Sequence, residues 1–332
     1  MKKIGLMLLL SLTIVASAQQ SGSAPPTSAD RTAVDQAANQ SAPEGTLPNA
    51  ASFPVERIQM ATKADLYCAG FVSKQPQPDT AFVAGGLQTP TTAKFSDGDM
   101  VYLSGQGYEV GQQYEIIREL RDMNEFEEFR GQHVLLKAAG QPYGNIALVR
   151  IIDTRHKMAI ARVSFSCDSV NPGDLVAPFV EKTPIAFHPP LRFDRFIPAT
   201  GKVSGRIIES KDFDGELGSG AKVYLNVGSN QGVKVGDYFR AVRLYTADLN
   251  DPVDSLSFKA AISEDTQAKQ PSIDPKFGTK NKGVTIHVAD MPRRSVGEMV
   301  IIGTTPTTAT GMIVFAMEDI HLGDSVEMDE QP

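Results

Sequence analysis

The stretch "VYLNVGSNQGVKVGDYFRAVR", Val223 to Arg243, decides how the chain is read. Val223, Leu225 and Val227 alternate with Tyr224 and Asn226, the period-two pattern of a strand with one buried face. Glycines then recur four apart at Gly228, Gly232 and Gly236, ahead of a second strand-like run from Tyr238. A phosphate-binding loop needs G-x-x-x-x-G-K-[ST] leading into a helix, whereas Gly232 leads into a valine and a strand. Helix packing through G-x-x-x-G needs an apolar setting, and Ser229, Asn230, Gln231 and Lys234 break it. The glycines therefore punctuate strands, and Asp237 completes a Gly-Asp turn.

The same stretch has a partner upstream. "DMVYLSGQGYEVGQQYEIIR" (Asp99 to Arg118) sets Val101-Tyr102-Leu103 on Val223-Tyr224-Leu225, Gly107 on Gly232, Gly111 on Gly236, Tyr114 on Phe239 and Arg118 on Arg243. Further on, "VSFSCDSVNPGDLV" (Val163 to Val176) aligns without gaps on "IVFAMEDIHLGDSV" (Ile313 to Val326), and the turn Gly173-Asp174 falls on Gly323-Asp324. Each unit also opens on similar residues, "CAGFVS" (Cys68 to Ser73) against "VSGRIIES" (Val203 to Ser210). Matches in one order mark a duplication. Strands at short spacing with turn glycines predict an all-β fold, two tandem homologous small β-barrels of SH3-like size, over 56–188 and 189–332. "NIALVRII" and "MAIARVSF" around "DTRHK" predict a hairpin, and a short helix is expected over Asp122 to Phe129. The second unit carries a polar insertion at about 247–295.

Ahead of the repeats, residues 1–18 read as a secretory signal peptide: Lys2 and Lys3, an apolar run from Ile4 to Val15, then Ala16-Ser17-Ala18. The apolar run is too short to span a bilayer, and no later segment reads as a transmembrane span. Residues 19–55, rich in Ser, Ala, Pro, Gln and Asn, read as a disordered linker. Loss of the leader takes the balance from 32 basic and 39 acidic residues to 30 and 39, a net −9. That acidity argues against nucleic acid as a partner and against anionic membrane surfaces. The expected location is the periplasm or the outer part of the envelope.

The paired strands and turn glycines of "VYLNVGSNQGVKVGDYFRAVR", with the later Leu322-Gly323-Asp324, resemble the C-terminal domain of flagellar assembly protein T. They also resemble the related duplicated domain of bacterial envelope proteins, some of which carry LysM peptidoglycan-binding modules; no LysM module is read in this chain. The resemblance spans roughly Ala64 to Met328 and implies small β-barrels in the cell envelope, with peptidoglycan or envelope proteins as partners.

Candidate chemistry is sparse. Cys68 and Cys167 are the only cysteines; in an exported chain they read as a disulfide joining first and last strands of unit one, against the alternative of two buried thiols. His133, His156, His188, His287 and His321 show no zinc-ligand spacing. Neither "DFDGE" (Asp212 to Glu216) nor "DGD" (Asp97 to Asp99) completes a calcium loop. No metal, cofactor or nucleophile motif is nominated. Tyr102 and Tyr224, on outward faces of equivalent strands beside Arg118 and Arg243, form the candidate repeated binding surface, with cross-strand packing as the plainer account. The expected function is a non-catalytic exported binding or assembly module contacting peptidoglycan or an envelope protein. The alternatives are a secreted hydrolase with its site between the barrels and a structural subunit of an envelope or flagellar ring.

Overall fold

A computed structural model describes residues 58–329, apart from 88, 90–92, 122–125, 191 and 244–291. The leader, the linker and nearly all of the 247–295 insertion lie outside the described residues. The first unit runs β1 (Gln59–Met60), α1 (Lys63–Tyr67), β2 (Phe71–Ser73), β3 (Phe82–Gly86), β4 (Met100–Ser104), β5 (Gln113–Glu119), α2 (Gln132–Ala139), β6 (Gln141–Asp153), β7 (Ala159–Ser166), β8 (Leu175–Pro178) and β9 (Ala186–Phe187). The second runs β10 (Ser204–Ser210), β11 (Glu216–Leu217), β12 (Lys222–Leu225), β13 (Tyr238–Arg243), β14 (Arg294–Thr304), β15 (Ala309–Ala316), β16 (Ile320–His321) and β17 (Ser325–Met328). The predicted hairpin is β6 and β7, paired antiparallel. Among the described residues no helix is long and apolar enough to cross a membrane.

Both units close into six-stranded barrels. The first ring is β3-β4-β7-β6-β5-β8, with β2 appended to β6; the second is β10-β12-β15-β14-β13-β17. The duplication extends to single cross-strand pairs. Leu103 faces Ala159 as Leu225 faces Ala309, and Val149 faces Val163 as Met299 faces Ile313. Bulges recur too, between Ile116 and Ile117 and again between Ala241 and Val242. A bulge sets twist and bends a strand around a small barrel, so retained bulges mean retained curvature.

The cores follow the same correspondence. Val83, Val101, Leu103, Val149, Ile151 and Val163 fill one barrel; Ile207, Val223, Leu225, Met299, Ile301 and Ile313 fill the other. Each buried aliphatic side chain contributes about 1.5–3 kcal/mol. Volume is conserved across positions: Gly311 stands where the first barrel has Ala161, and a Cβ there would meet the Met299 sulfur at 3.1 Å. The longer Met299, in place of Val149, takes up the space that the missing methyl leaves.

Two expectations need correction. The strand equivalent to β10 is β3, not the "CAGFVS" run: Val83 pairs with Leu103 as Ile207 pairs with Leu225. The glycines and bulge of "FVAGG" break its alternation, which hides it as a strand, while β2 lies outside the ring. The helix also lies later than expected. Residues 126–129 of the Asp122–Phe129 span are non-helical and its remainder lies outside the described residues; α2 instead spans Gln132–Ala139, starting after Gly131, whose left-handed φ of 87° turns the chain. α2 lies in the β5–β6 connection, and the polar insertion occupies the matching β13–β14 connection.

The described residues form one compact unit, because elements of the first repeat complete the second. Phe129, ahead of α2, lies within the core of barrel two with Leu135 packed against it. Its ring presses on Gly323, where a Cβ would lie 2.7 Å from the ring carbons, and the Arg206 guanidinium stacks 4.9 Å from its centre. Gln132, fully buried, donates to Ile208 O and to the Glu209 carboxylate. On another face, α1 begins with a reciprocal Thr62–Asp65 cap and lays Ala61, Leu66 and Ala69 over Val300, Ile302 and Met312 of barrel two. Lys222 reaches back to Asp65 at 2.6 Å.

Candidate functional site

The residues nominated as a repeated surface are mostly enclosed. Tyr224 does point outward from its barrel, but it is 1 % exposed, wedged against Val72 and Ala139. Its hydroxyl donates to Ala69 O, and burial raises its pKa. Tyr102 is half-buried on β4. Neither tyrosine neighbours its arginine: β4 pairs with β3 and β7 whereas β5 pairs with β6 and β8, and β12 pairs with β10 and β15 whereas β13 pairs with β14 and β17. The four residues are therefore not one surface.

The arginines belong to a repeated clamp. Arg118 grips Asp174 through Nε and Nη2 at 2.7 and 2.8 Å and donates to Ser169 O. Arg243 grips Asp324 in the same fork at 3.0 and 2.7 Å and donates to Asp319 O. Each aspartate also accepts a backbone N–H of its own turn, from Asn171 or from His321. The Gly-Asp turns thus tie β5 and β13 to the loops closing each barrel. Bidentate geometry suits arginine and excludes lysine. The pair in barrel two is the more enclosed, with Arg243 6 % exposed against 25 % for Arg118.

The turn glycines divide into two kinds. Gly107, Gly111, Gly173, Gly232, Gly236 and Gly323 have φ between 82° and 94°, a region that L side chains avoid. Gly228 is different: its φ is −146°, and a Cβ there would meet Thr305 O at 2.4 Å. It is glycine for close approach, not for turning. Asp237 accepts the Lys234 N–H.

Cys68 and Cys167 form the disulfide, with Cα atoms 5.5 Å apart. Its placement differs from the expectation: Cys68 ends α1, outside the barrel, and Cys167 follows β7. The bridge ties the α1 segment, which covers barrel two, to barrel one. On the chain-entropy account, closing a loop of this length contributes about 4–5 kcal/mol.

Where the repeats meet, a cavity of about 210 Å³ opens, lined by Leu66, Phe71, Glu115, Asn145, Lys182 and Thr304 among others. β5 supplies Glu115 and β6 supplies Asn145; Lys182 comes from the β8–β9 connection, and Thr304 ends β14 of the other barrel. Asn145 is fixed at both ends, its Oδ1 accepting the Gly70 N–H at 2.7 Å and its Nδ2 donating to Glu115 Oε1 at 2.7 Å. Lys182 Nζ donates to Leu66 O at 2.6 Å. Burial pushes the Glu115 carboxyl above its usual range, the Lys182 charge and the Asn145 hydrogen bond opposing it. Burial pulls Lys182 down, opposed by Glu115. The two sense each other's charge without coming within the 4.0 Å of an ion pair. No spacing in the sequence announces this group, since its members come from separate elements and two repeats.

A second buried group lies outside barrel two. Glu298 is raised to about 7, first by burial and then by the Asp329 charge, with Arg240 and His188 opposing. Arg240 pairs with Asp329. Among the described residues no cluster of three or more His, Cys, Asp and Glu is placed to hold a metal ion. Comparison with protein-family models and with curated proteins finds no match.

Proposed function

We propose that this chain is a non-catalytic exported module of the cell envelope that binds peptidoglycan or an envelope protein through the junction of its two repeats. The observation carrying this reading is the inter-barrel cavity, where a carboxyl and an ammonium with perturbed pKa values converge in a concave site. A disulfide is at home in an oxidising compartment, which accords with the leader-like residues 1–18. The resemblance to envelope β-barrel modules points the same way. The rival hydrolase would draw on the same cavity, with raised Glu115 as its acid; glycoside cleavage calls for a second carboxylate, and Glu115 is the one acidic residue among the described residues of the lining.

The test is sedimentation of mature protein, residues 19–332, with insoluble peptidoglycan sacculi through a salt series. Salt-resistant recovery in the pellet supports wall binding. Recovery in the supernatant removes the wall and leaves protein partners, to be sought by crosslinking in the envelope. Release of soluble fragments from the sacculi would instead establish the hydrolase.

A further inference from the structure

We infer that the inter-barrel cavity takes the zwitterionic head of an amino acid, an ammonium and a carboxylate on one carbon, either as a free amino acid or as the side-chain end of a diamino acid within a wall peptide. This rests on the ligand-binding reading above and names the chemistry of its site. Glu115 Oε1 is held by Asn145, while Oε2 accepts nothing from any described residue. Lys182 donates one N–H to Leu66 O, lies 5.4 Å from the centre of the Tyr67 ring, and has no carboxylate partner within ion-pair distance among the described residues. The Thr304 hydroxyl, at the exposed end of β14, makes no hydrogen bond to a described residue. An acceptor of negative charge and donors including a positive charge thus share one cavity without satisfying each other.

Ion pairs left open in a partly buried site are costly unless a partner arrives. A single cation would satisfy Glu115 and leave Lys182; a single anion would do the reverse. A zwitterion satisfies both, its ammonium toward Glu115 and its carboxylate toward Lys182 and Thr304. Size agrees: 210 Å³ is about seven water volumes at roughly 30 Å³ each, room for one amino-acid head and a short stem. Leu66 and Phe71 offer that stem an apolar wall. Asn145, pinned by Gly70, fixes the Glu115 carboxylate in place before any ligand enters, which reduces the ordering cost of binding.

The experiment titrates mature protein with D-alanine, meso-diaminopimelate and a wall tripeptide ending in diaminopimelate, by calorimetry at neutral pH. N-acetyl-alanine and alaninamide, each lacking one of the two charges, are the controls. Binding of a zwitterion, weakened at least about ten-fold by loss of either charge, is expected, since leaving one buried charge unpaired is strongly unfavourable. Glu115→Gln and Lys182→Met should weaken binding to a similar degree. Thr304→Val, at an exposed position, should weaken it less and leaves folding out of the question. Preference for the tripeptide identifies the wall as the source; equal binding of D-alanine identifies free amino acids. If no zwitterion binds, or if binding is indifferent to Glu115→Gln, Lys182→Met and Thr304→Val, the inference is overturned. Zwitterion binding lost in Glu115→Gln and Lys182→Met supports the inference whether or not sacculi are bound, and sacculus binding with no zwitterion binding would overturn it while leaving the envelope reading intact.

Discussion

One outer face of the barrel exists twice in this molecule, with opposite fates. On barrel one, Arg150 of β6 stands directly across from Arg162 of β7, both exposed, and neither makes an ion pair with a described residue. On barrel two the matching pair is Val300 and Met312, buried under Ala61, Leu66 and Ala69. The interiors scarcely differ, and the register not at all. Duplication therefore preserved the part of each sequence that closes a barrel and released the part that faces outward. This outward face becomes interior where the α1 segment, with Ile185 and Phe187 beside it, lies over barrel two.

Exchange of residues across this comparison is the most direct way to break it. Met312→Arg sets a charge under α1 with no partner and should destabilise the protein by about 3–4 kcal/mol, read from urea unfolding. The comparison also extends to the disulfide that anchors α1 to barrel one. Cys68→Ser with Cys167→Ser should lower stability by about 2–5 kcal/mol and increase hydrogen exchange in residues 61–73 before it does so in either barrel core. Uniform loss of protection would contradict the role given to the bridge.

The clamps offer a matched pair within one chain. Arg243→Met leaves Asp324 buried without its partner and should lower stability by about 3–5 kcal/mol. Arg118→Met, in a wetter site, should cost about 1–2 kcal/mol. Equal losses would show that burial does not distinguish the repeats. pH separates them further. Glu298 of barrel two has a carboxyl raised to about 7 from the ordinary 4.5, whereas Leu148 occupies the equivalent position in barrel one. The folded protein keeps that proton between these values and the unfolded chain does not, so the contribution is whole below about 4.5 and is lost as pH rises through about 7. Stability should fall by on the order of 2–3 kcal/mol across that window, and Glu298→Gln should flatten the slope. The smallest effect is expected for Arg162→Met, which removes a like-charge pair in the open and should change stability by less than about 0.5 kcal/mol.

How much of this was legible follows from the same division. Alternation at Val223, Leu225 and Val227 shows in sequence because a closed barrel buries every second side chain, and the repeat carries register because pairs such as Leu103–Ala159 and Leu225–Ala309 are retained. β3 was hidden because two glycines and a bulge remove its period. Tyr224 read as exposed because alternation assigns a residue to a barrel face without saying whether another element covers it. Arg118 and Asp174 were both singled out, yet their partnership spans residues that no local spacing links. α2 had no counterpart to reveal it, since the second repeat carries the insertion in its place. The cavity is the extreme case: Glu115, Asn145, Lys182 and Thr304 converge only once both repeats are folded and joined.

The central claim is that two conserved barrels became one body through divergent outer faces, with Phe129 and α1 as the locks. Equilibrium urea unfolding of the mature chain, followed by far-UV circular dichroism and by tyrosine fluorescence, tests this directly. A single transition, coincident by both probes, is the expected result. Two separate transitions would mean that the barrels fold independently and would contradict the account.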